Sequence, residues 1–182
     1  MKEHDESNWP VWATEKIEIK AYDPNWIEKG TYEIIKLREL LSEFRVSEIE
    51  HIGSTSIPNL PAKPIIDMMA KINSFGDLAK IIERLEAENW SYVPKELDGR
   101  EWRRFFVKVK DNKRECHLHL MLEDDEEHWE KQIKFRNKLR EQPRLAQQYA
   151  ELKRKLAAKT NDDREAYTEA KTDFVKSVLE LN

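Results

Sequence analysis

Apolar residues recur at helical spacing in two stretches of the first half of the chain. The first stretch follows Asp23-Pro24, an acidic cap with a proline suited to a first turn, and extends to about Phe44. The second runs from Phe75 to Asn89. Each carries one apolar stripe, which predicts an amphipathic helix packed on a core. The stripes consist of Ile34, Leu37, Leu40, Leu41 and Phe44, and of Leu78, Ile81, Ile82 and Leu85.

Alternation of apolar and polar residues predicts strands before, between and after these helices. Between two of the alternating runs the chain reverses at Asp111-Asn112, a pair typical of a tight hairpin turn. The two runs on either side of the Gly53 loop are expected to be neighbours in the sheet. The predicted strands span residues 17–22, 46–52, 63–72, 103–110 and 114–121.

From His128 onward the pattern is helical. We expect one segment up to Arg140, a second that opens at Pro143, and a third that is capped by Asn161-Asp162-Asp163. Strands followed by helices predict an α+β fold, in which a small mixed β-sheet is packed with helices and a helical C-terminal part closes a cleft. Residues 1–15 are expected to form an N-terminal arm and residues 16–182 a single domain.

Composition limits the classes of protein that fit this chain. Its 182 residues carry a formal net charge of −4, which disfavours a protein that coats nucleic acid or an anionic membrane. The first residues are acidic where a signal peptide would be basic, and no long apolar run follows, so we expect a cytoplasmic protein without a membrane partner. The single cysteine, Cys116, excludes an internal disulfide and a multi-thiolate zinc site.

The residues best suited to bind a ligand lie in the loop between the second and third predicted strands. A glycine allows close backbone approach, hydroxyls can donate to an anion, and a lysine adds positive charge. This combination is what a phosphate requires, although a glycine followed by hydroxyls and prolines is also common in a plain turn. The candidate phosphate ligands of the loop are Gly53, Ser54, Thr55, Ser56 and Lys63.

One carboxylate stands inside the apolar strand that follows the loop. Asp67 comes after Ile65-Ile66 and before Met68-Met69. In a strand buried on both faces, an ionised carboxylate is costly unless it is paired or bound to a cation. Asp67 is therefore a candidate cation ligand and catalytic residue.

Two histidines share one face of the second hairpin strand. His117 and His119 lie opposite Cys116 and Leu118, which are expected in the core. A lone histidine on a strand is usually structural, but two on one face of a strand that can lie beside Asp67 favour function. We expect both to be candidate catalytic groups, and His119 to bind a metal ion together with Asp67.

The residues around this loop resemble a known family. Residues 50–58, 62–67 and 166–171 are similar to three blocks of the GrpB family, which is assigned by resemblance to the nucleotidyltransferase superfamily. The likeness covers roughly Ile17 to Leu181. It implies a nucleotidyltransferase-like fold in which the Gly-Ser pair holds a nucleoside phosphate. It also implies a divalent cation, Mg²⁺ or Mn²⁺, on carboxylates.

One position departs from the wider superfamily. A second acid usually follows two residues after the first, and here that position is Met69. Asp67 and Met69 point to the same face of the strand, and a thioether is a poor ligand for a hard cation.

The resemblance also implies a role for two pairs in the C-terminal helices. Tyr149 with Lys153, and Tyr167 with Lys171, each place an ammonium one helical turn beyond a ring. These positions match the C-terminal part of the family and are expected to bind phosphate. The alternative is a lysine whose stem covers apolar surface while its charge reaches water.

Three functions remain open from the sequence. The first is nucleotidyl transfer or other handling of a nucleoside phosphate or related phosphorylated small molecule. The second is a catalytically inactive nucleotide-binding or regulatory module, which Met69 favours. The third, nucleic-acid binding through the hairpin, competes with the simpler interpretation of an exposed basic face. The hairpin residues in question are Arg100, Trp102, Arg103, Arg104, Lys108, Lys110, Lys113 and Arg114.

Overall fold

The computed structural model describes residues 9–16, 18–159 and 171–181. Within these ranges, one mixed sheet carries helices on both faces. The strands are β1 Val46–Ile52, β2 Ile66–Ile72, β3 Trp90–Val93, β4 Arg103–Lys110 and β5 Lys113–Leu122. The helices are α1 Asn25–Leu40, α2 Leu78–Glu86, α3 Lys95–Asp98, α4 Glu126–Glu141, α5 Pro143–Lys159 and α6 Thr172–Glu180.

The sheet order is β1-β2-β5-β4-β3. β2 and β5 are parallel, and the other neighbouring strands are antiparallel. The chain from α2 to β4 provides the long crossover that a parallel pair requires. The parallel register sets Asp67 beside His117 and Met69 beside His119. Because side chains alternate along a strand, all four rise from one face of the sheet.

The other face is the main hydrophobic core, covered by α1 and α2. Leu37 of α1 and both Ile81 and Leu85 of α2 are fully buried there. Each such side chain contributes roughly 1.5–3 kcal/mol relative to an exposed one. Cys116 is buried in this core, as its alternation with leucines predicts. The sheet residues in the cluster include Ile66, Met68, Ala70, Ile72, Cys116, Leu118 and Leu120.

The C-terminal helices cover the face that carries Asp67. Trp129 of α4 packs with Ile52, Met69 and Met121 of the sheet. A separate cluster joins α4, α5 and α6 to two apolar residues of the loop between β1 and β2. This loop is therefore held between the sheet and the helices. The cluster contains Ile57, Leu60, Phe135, Leu139, Tyr149, Ala150 and Val178.

The predicted fold class, a small mixed sheet with a helical C-terminal part, is confirmed. The strand over 46–52 and the hairpin are confirmed as well, and β1 and β2 are neighbours. Asp111 and Asn112 have φ of 51° and 59°. Positive φ at both central residues is the conformation of a type I′ turn, whose twist matches that of the strands.

Several predicted boundaries are wrong. Lys20 forms a single bridge with Ala62 where a strand over 17–22 was expected, and Ile17 lies outside the described residues. β2 begins at Ile66, because Pro64 has no N–H for a ladder. The strand β3 and the short helix α3 were not predicted, since four residues are too few to show a period. The cap at 161–163 also lies outside the described residues.

Among the described residues, no helix combines the length and the apolarity that a membrane span needs.

Candidate functional site

Asp67, His117 and His119 meet on one face of the sheet. Oδ1 of Asp67 lies 2.9 Å from Nδ1 of His117 and 3.7 Å from Nε2 of His119. The potential ligand atoms of the three residues all lie within 4.8 Å of one another. Within β2, Asp67 alone is not fully buried, and 29% of its side chain is exposed. The structure thus brings together the three residues that the sequence singled out for chemistry.

The charge of this cluster resides on Asp67. Burial alone would raise the pKa of Asp67, but the imidazoles of His117 and His119 hold it well below its usual range. Burial lowers the pKa of His117. Burial, followed by the nearby Arg103 guanidinium, lowers the pKa of His119 to about 4. At neutral pH the carboxyl is therefore ionised and both imidazoles are neutral.

The two oxygens of Asp67 face different partners. Oδ1 faces the imidazoles, whereas Oδ2 faces the loop after β1, where a Cβ built on Gly53 would lie 2.8 Å away. Gly53 has φ of 69° and ψ of −172°, a region that is essentially open only to glycine. The close backbone approach expected of Gly53 is therefore an approach to Asp67.

Two hydroxyl groups of the loop stabilise it through hydrogen bonds to backbone carbonyl oxygens. Thr55 Oγ1 donates to the carbonyl oxygen of Ile65 at 3.0 Å and accepts from Nε2 of His51 at 3.0 Å. Ser56 Oγ donates to the carbonyl oxygen of Gly53 at 2.6 Å. Thr55 and Ser56 are buried, and buried polar groups are generally satisfied within the protein. This differs from the expectation that both hydroxyls donate to a phosphate.

Ser54 is placed differently from the two hydroxyl residues that follow it. It is half-buried, like Gly53, at the same end of β1. Of the three hydroxyl residues expected to donate to an anion, Ser54 is the one that is not buried.

His51, whose role the sequence did not indicate, supports the loop from the side of α1. Burial lowers the pKa of His51 to about 4, against the raising effect of the Asp67 charge. A Cβ on Gly30 of α1 would overlap the imidazole ring. The helix and the strand therefore approach closely at a glycine, and the ring is held neutral with its Nε2–H directed at Thr55.

Two arginines of α4 also hold the loop, and sequence reasoning missed both. Arg136 donates to Oε2 of Glu50 at 2.6 Å and to the carbonyl oxygen of His51 at 2.9 Å. Arg140 donates to the carbonyl oxygen of Ser56 through Nε at 3.0 Å and Nη2 at 2.8 Å. Their spacing of four residues, which places them on one helix face, was the signal available in the sequence.

Lysines from three segments of the chain lie within electrostatic range of Lys153 or include it. Lys153 of α5 is 2% exposed and donates to the carbonyl oxygen of Pro61. Burial, followed by the charges of Lys171, Arg154 and Lys63, lowers the pKa of Lys153 to about 7. Burial lowers the pKa of Lys171 to about 8, while the charge of Asp67 raises it. Lys153 is thus within electrostatic range of both Lys171 and Lys63, and Lys171 is within range of Asp67.

Tyr149 lies beneath this group of lysines as a core residue. Its ring packs edge-on against Phe135 and stacks on Phe174, with centroid distances of 5.3 and 5.2 Å. The ammonium of Lys153 lies 4.9 Å from the ring centroid, a cation–π contact. Tyr149 thereby positions Lys153. Tyr167 lies outside the described residues.

Arg103 is a site residue that the sequence suggested to be exposed on a basic hairpin face. Instead it is 5% exposed. Its Nε donates to Oδ2 of Asp98 at 2.9 Å, its Nη2 to Oδ1 of Asp98 at 2.5 Å, and its Nη1 contacts Nδ1 of His119. The ring of Trp102 stacks with those of His119 and His128. The signal that was missed is that Arg103 shares the period-two face of Phe105 and Val107.

Met69 does not reach the cluster as a second ligand. Its side chain is fully buried in the apolar contact of Ile52, Met121 and Trp129. The position that carries an acid in the wider superfamily is therefore a packing position here.

A second group of potential ligand atoms lies on the opposite face of the sheet. It consists of Glu33, Glu115 and Cys116. Both carboxylates are already paired, Glu33 with Lys108 at 2.9 Å and Glu115 with Lys29 at 2.6 Å. Burial raises the pKa of the Cys116 thiol well above its usual range. This group is neutralised by lysines, which leaves the Asp67 cluster as the better cation site.

A family profile described as "GrpB protein" matches residues 16–181. The chain belongs to the GrpB family. Among its relatives, the UPF0157 protein YqkA of Bacillus subtilis is 36% identical over 170 residues, which are 93% of this chain and 48% of that protein. The glutamate-rich protein GrpB of Alkalihalophilus pseudofirmus is 31% identical over 165 residues, 88% of this chain and 92% of that protein. The chain therefore spans about half of the first relative and nearly all of the second.

A solved structure agrees with this membership of the GrpB family. The conserved protein GrpB from Enterococcus faecalis has a TM-score of 0.79 at 32% identity, covering 88% of this chain and 94% of that one. The family resemblance seen in the sequence is confirmed. Cid1, a protein with RNA terminal uridylyl transferase activity, has a TM-score of 0.47 at 16% identity and covers 75% of this chain and 44% of that one. No activity transfers to this chain from a likeness of that degree.

Proposed function

We propose that this GrpB family chain binds a nucleoside phosphate, or a related phosphorylated small molecule, in the cleft between Gly53-Ser54 and Asp67. The observation that supports the proposal is that Asp67, an ionised and partly exposed carboxylate beside Gly53, lies within electrostatic range of Lys171, which in turn lies within range of Lys153. A phosphate bound there would face Ser54 and the ammonium groups, and a divalent cation on Asp67 would offset the remaining charge.

Lys153 gives the strongest support among the lysines. A lysine that is 2% exposed, with the positive charges of Lys63 and Lys171 nearby, is unfavourable in the free protein. An anion bound beside Lys153 would offset the repulsion that these positive charges exert on one another. Such an arrangement is expected of a binding site, where stability is given up for affinity.

The residues present also fit a divalent cation. Oδ2 of Asp67 belongs to an ionised carboxyl that is partly exposed and faces the cleft. Carboxylate and phosphate oxygens are the ligands that Mg²⁺ prefers, and Mn²⁺ accepts the same set. A cation held there would orient phosphate oxygens and draw charge from them.

A second candidate function, a module that binds nucleotide without transferring it, is favoured by Met69. Two-cation phosphoryl chemistry places two ions side by side on shared ligands. Here the side chain that would help to hold the second ion is an apolar packing residue. Nucleotidyl transfer by this chain would therefore have to proceed with one protein carboxylate.

Thermal shift with a panel of nucleoside triphosphates, with and without Mg²⁺, tests the binding proposal. A ligand at one hundred times its dissociation constant stabilises the native state by about 2.7 kcal/mol. We expect a Mg²⁺-dependent shift in the wild type. We expect no Mg²⁺ dependence in Asp67→Asn and a reduced shift in Lys171→Met.

Lys80→Met is the matched control for the lysine variant. Lys80 is exposed on α2 and paired with Asp77, so this substitution removes one charge on the other face of the sheet. It should keep the full shift. The proposed site would be contradicted if no triphosphate shifted the melting temperature of the wild type. It would also be contradicted if Lys80→Met and Lys171→Met reduced the thermal shift equally.

Release of pyrophosphate from the ligands that bind separates the two candidate functions. Mg²⁺-dependent release that is lost in Asp67→Asn supports transfer. Binding without release, across acceptors that include water, alcohols and RNA ends, supports the inactive module.

A further inference from the structure

We propose that Arg103 holds His119 in the tautomer that carries its proton on Nε2, so that the two histidines orient Asp67 and do not bind the cation. The tautomer follows from the contacts of the free protein. The consequence for the cation rests on the function proposed above, because it assumes that a cation binds Asp67.

The guanidinium of Arg103 is held in place by contacts other than the one with His119. Its guanidinium forms a two-point ion pair with Asp98, whose side chain is 4% exposed. It also lies 4.2 Å from the centroid of Phe105 and 5.3 Å from that of Trp102. A planar group held by two hydrogen bonds and two rings has little freedom to turn away. Nη1 is therefore presented to the ring of His119.

The contact between Nη1 and Nδ1 of His119 decides the tautomer. A guanidinium has only donors, so Nδ1 must be the acceptor in this contact. In a neutral imidazole, the other ring nitrogen then carries the proton. Nε2 is the atom that lies 3.7 Å from Oδ1 of Asp67, so His119 presents an N–H and not a lone pair to the carboxylate.

Histidines that bind metals show the opposite arrangement. Their second ring nitrogen usually donates to a carboxylate or a carbonyl, which leaves the lone pair of the first nitrogen for the metal. At His119 the second nitrogen faces a donor. Binding a cation through Nε2 would require this ring to lose its proton or Arg103 to leave.

His117 does not present an accessible lone pair either. Nδ1 of His117 lies 2.9 Å from Oδ1 of Asp67, and because a carboxylate oxygen accepts, Nδ1 is the donor. Its lone pair then lies on Nε2, which is buried and has no hydrogen-bond partner within the described part of the chain. The rings of Phe105 and His117 pack edge-on, with their centroids 5.0 Å apart. This nitrogen faces packed side chains, and solvent does not reach it.

Both imidazoles therefore act on one oxygen of the carboxylate. His117 donates to Oδ1 at 2.9 Å, and the N–H of His119 approaches the same oxygen at 3.7 Å, so Oδ1 is oriented toward the imidazoles and Oδ2 stays directed at Gly53. The cation would be coordinated by one carboxylate oxygen of the protein and by further oxygens of the phosphate. This set of ligands suits Mg²⁺ and Mn²⁺ better than Zn²⁺. This replaces the expectation that His119 is a metal ligand.

Long-range ¹H–¹⁵N correlation spectra of the metal-free wild type test the tautomers directly. The chain has five histidines, and His119→Gln assigns the signal. We expect protonated Nε2 and unprotonated Nδ1 at His119, and the reverse at His117. Protonated Nδ1 with unprotonated Nε2 at His119 would overturn the inference, whatever the protein binds.

Pulsed electron paramagnetic resonance with Mn²⁺ alone as the probe tests the cation environment. We expect no directly coordinated ¹⁴N in the wild type. In Arg103→Met the proton of His119 is no longer confined to Nε2, so we expect the spectrum to show a ¹⁴N coordinated to Mn²⁺. Arg104→Met makes the same change on the other face of the strand and should show no coordinated ¹⁴N. Coordinated ¹⁴N in the wild type overturns the inference.

A glutamine at residue 119 provides a conservative rescue. The amide of His119→Gln can accept from Arg103 and donate to Asp67, so it should keep Mn²⁺ affinity within about threefold. His119→Ala should lose tenfold or more. Equal losses in the two variants count against a donor role for His119. Absence of Mn²⁺ binding in the wild type would refute the proposed cation site, while the tautomers would still be decided by the metal-free spectra.

Discussion

Gly53 and Asp67 are so close that a Cβ on the glycine would stand 2.8 Å from Oδ2 of the carboxylate. The loop and the strand therefore form one unit, in which the conformation of the glycine decides where the carboxylate can point. This relationship makes the loop sensitive to changes that a solvent-exposed turn would tolerate.

Gly53→Ala should lower both stability and ligand binding. The backbone conformation is strained for any side chain, and the added methyl would displace Asp67. We expect a loss of about 3 kcal/mol in the free energy of unfolding, together with loss of the Mg²⁺-dependent nucleotide shift. Urea denaturation and thermal shift measure the two effects.

Gly99→Ala is the control for Gly53→Ala. Gly99 also has a positive φ, 67°, but a Cβ there would meet nothing within 4 Å. It lies in the left-handed helical region, where alanine costs about 1 kcal/mol. Equal losses of stability in the two variants, with nucleotide binding intact in both, would show that Gly53 and Asp67 are not coupled.

Lys153→Met should stabilise the free protein while it weakens phosphate binding. The folded-state pKa of Lys153 is about 7, against 10.5 in the unfolded chain. Between these values the unfolded state binds more protons, so the wild type gains stability as pH rises from 7 towards 10.5. The advantage of the methionine variant should therefore be full at pH 7 and below, and should shrink at higher pH.

Urea denaturation of wild type and Lys153→Met at pH 7 and pH 9.5 measures this difference. A variant that is less stable than wild type at pH 7 would indicate that the bond to the Pro61 carbonyl outweighs the cost of the buried charge. Unchanged nucleotide affinity would remove Lys153 from the site.

Met69→Asp should not restore a two-acid site. The side chain would have to ionise inside the apolar contact of Ile52, Met121 and Trp129. We expect a loss of about 3–5 kcal/mol, as for an unpaired buried charge, and no gain in Mn²⁺ affinity. Met69→Leu conserves volume and should cost less than about 1.5 kcal/mol. A stable aspartate variant that binds Mn²⁺ more tightly would mean that this position faces the cleft.

Stability should fall as pH drops from about 6.5 to about 4. The folded-state pKa of His51 is about 4, against 6.5 in the unfolded chain. The unfolded state binds the additional proton in that window, so the contribution is full above 6.5 and is lost on acidification. It amounts to about 3 kcal/mol for such a shift. The pKa of His119 is also lowered to about 4, so His119 adds to the loss of stability in the same pH range.

The His51→Gln variant isolates the contribution of the His51 imidazole to the pH dependence of stability. Glutamine keeps a donor for Thr55 but does not titrate, so the slope of stability against pH should flatten by up to one proton. Unfolding free energies at half-unit intervals from pH 7 to pH 4 measure it. An unchanged slope would mean that the buried imidazole is already protonated in the native state.

The sequence alone predicted the features of this chain that depend on local spacing. Helical and alternating periods predicted α1, α2, β1 and the hairpin, because one face of each element must be buried. A carboxylate in the apolar strand at Asp67, and two histidines one period apart, stood out for the same reason. The blocks around the loop were specific enough to indicate the GrpB family.

Only the tertiary structure decided how these groups are paired. β2 and β5 are parallel neighbours, so Asp67 and His117, fifty residues apart in the chain, share a hydrogen bond. Alternation showed that Arg103 and His119 each lie on one face of a strand, but not that the faces coincide. The contact that directs Nε2–H of His119 at Asp67 arises from the antiparallel pairing of β4 with β5.

The same reason explains the contacts that the sequence could not indicate for individual residues. Thr55 and Ser56 carry hydroxyls that could bind an anion in an open loop, yet the packing of the loop against the sheet and α4 turns both of them inward. Lys153 lies on a helical stripe like any snorkelling lysine, but α5 packs with its ammonium directed at the Pro61 carbonyl. Hydrophobic periods specify which residues are buried. Partners for buried polar atoms depend on contacts between distant segments, which no local pattern encodes.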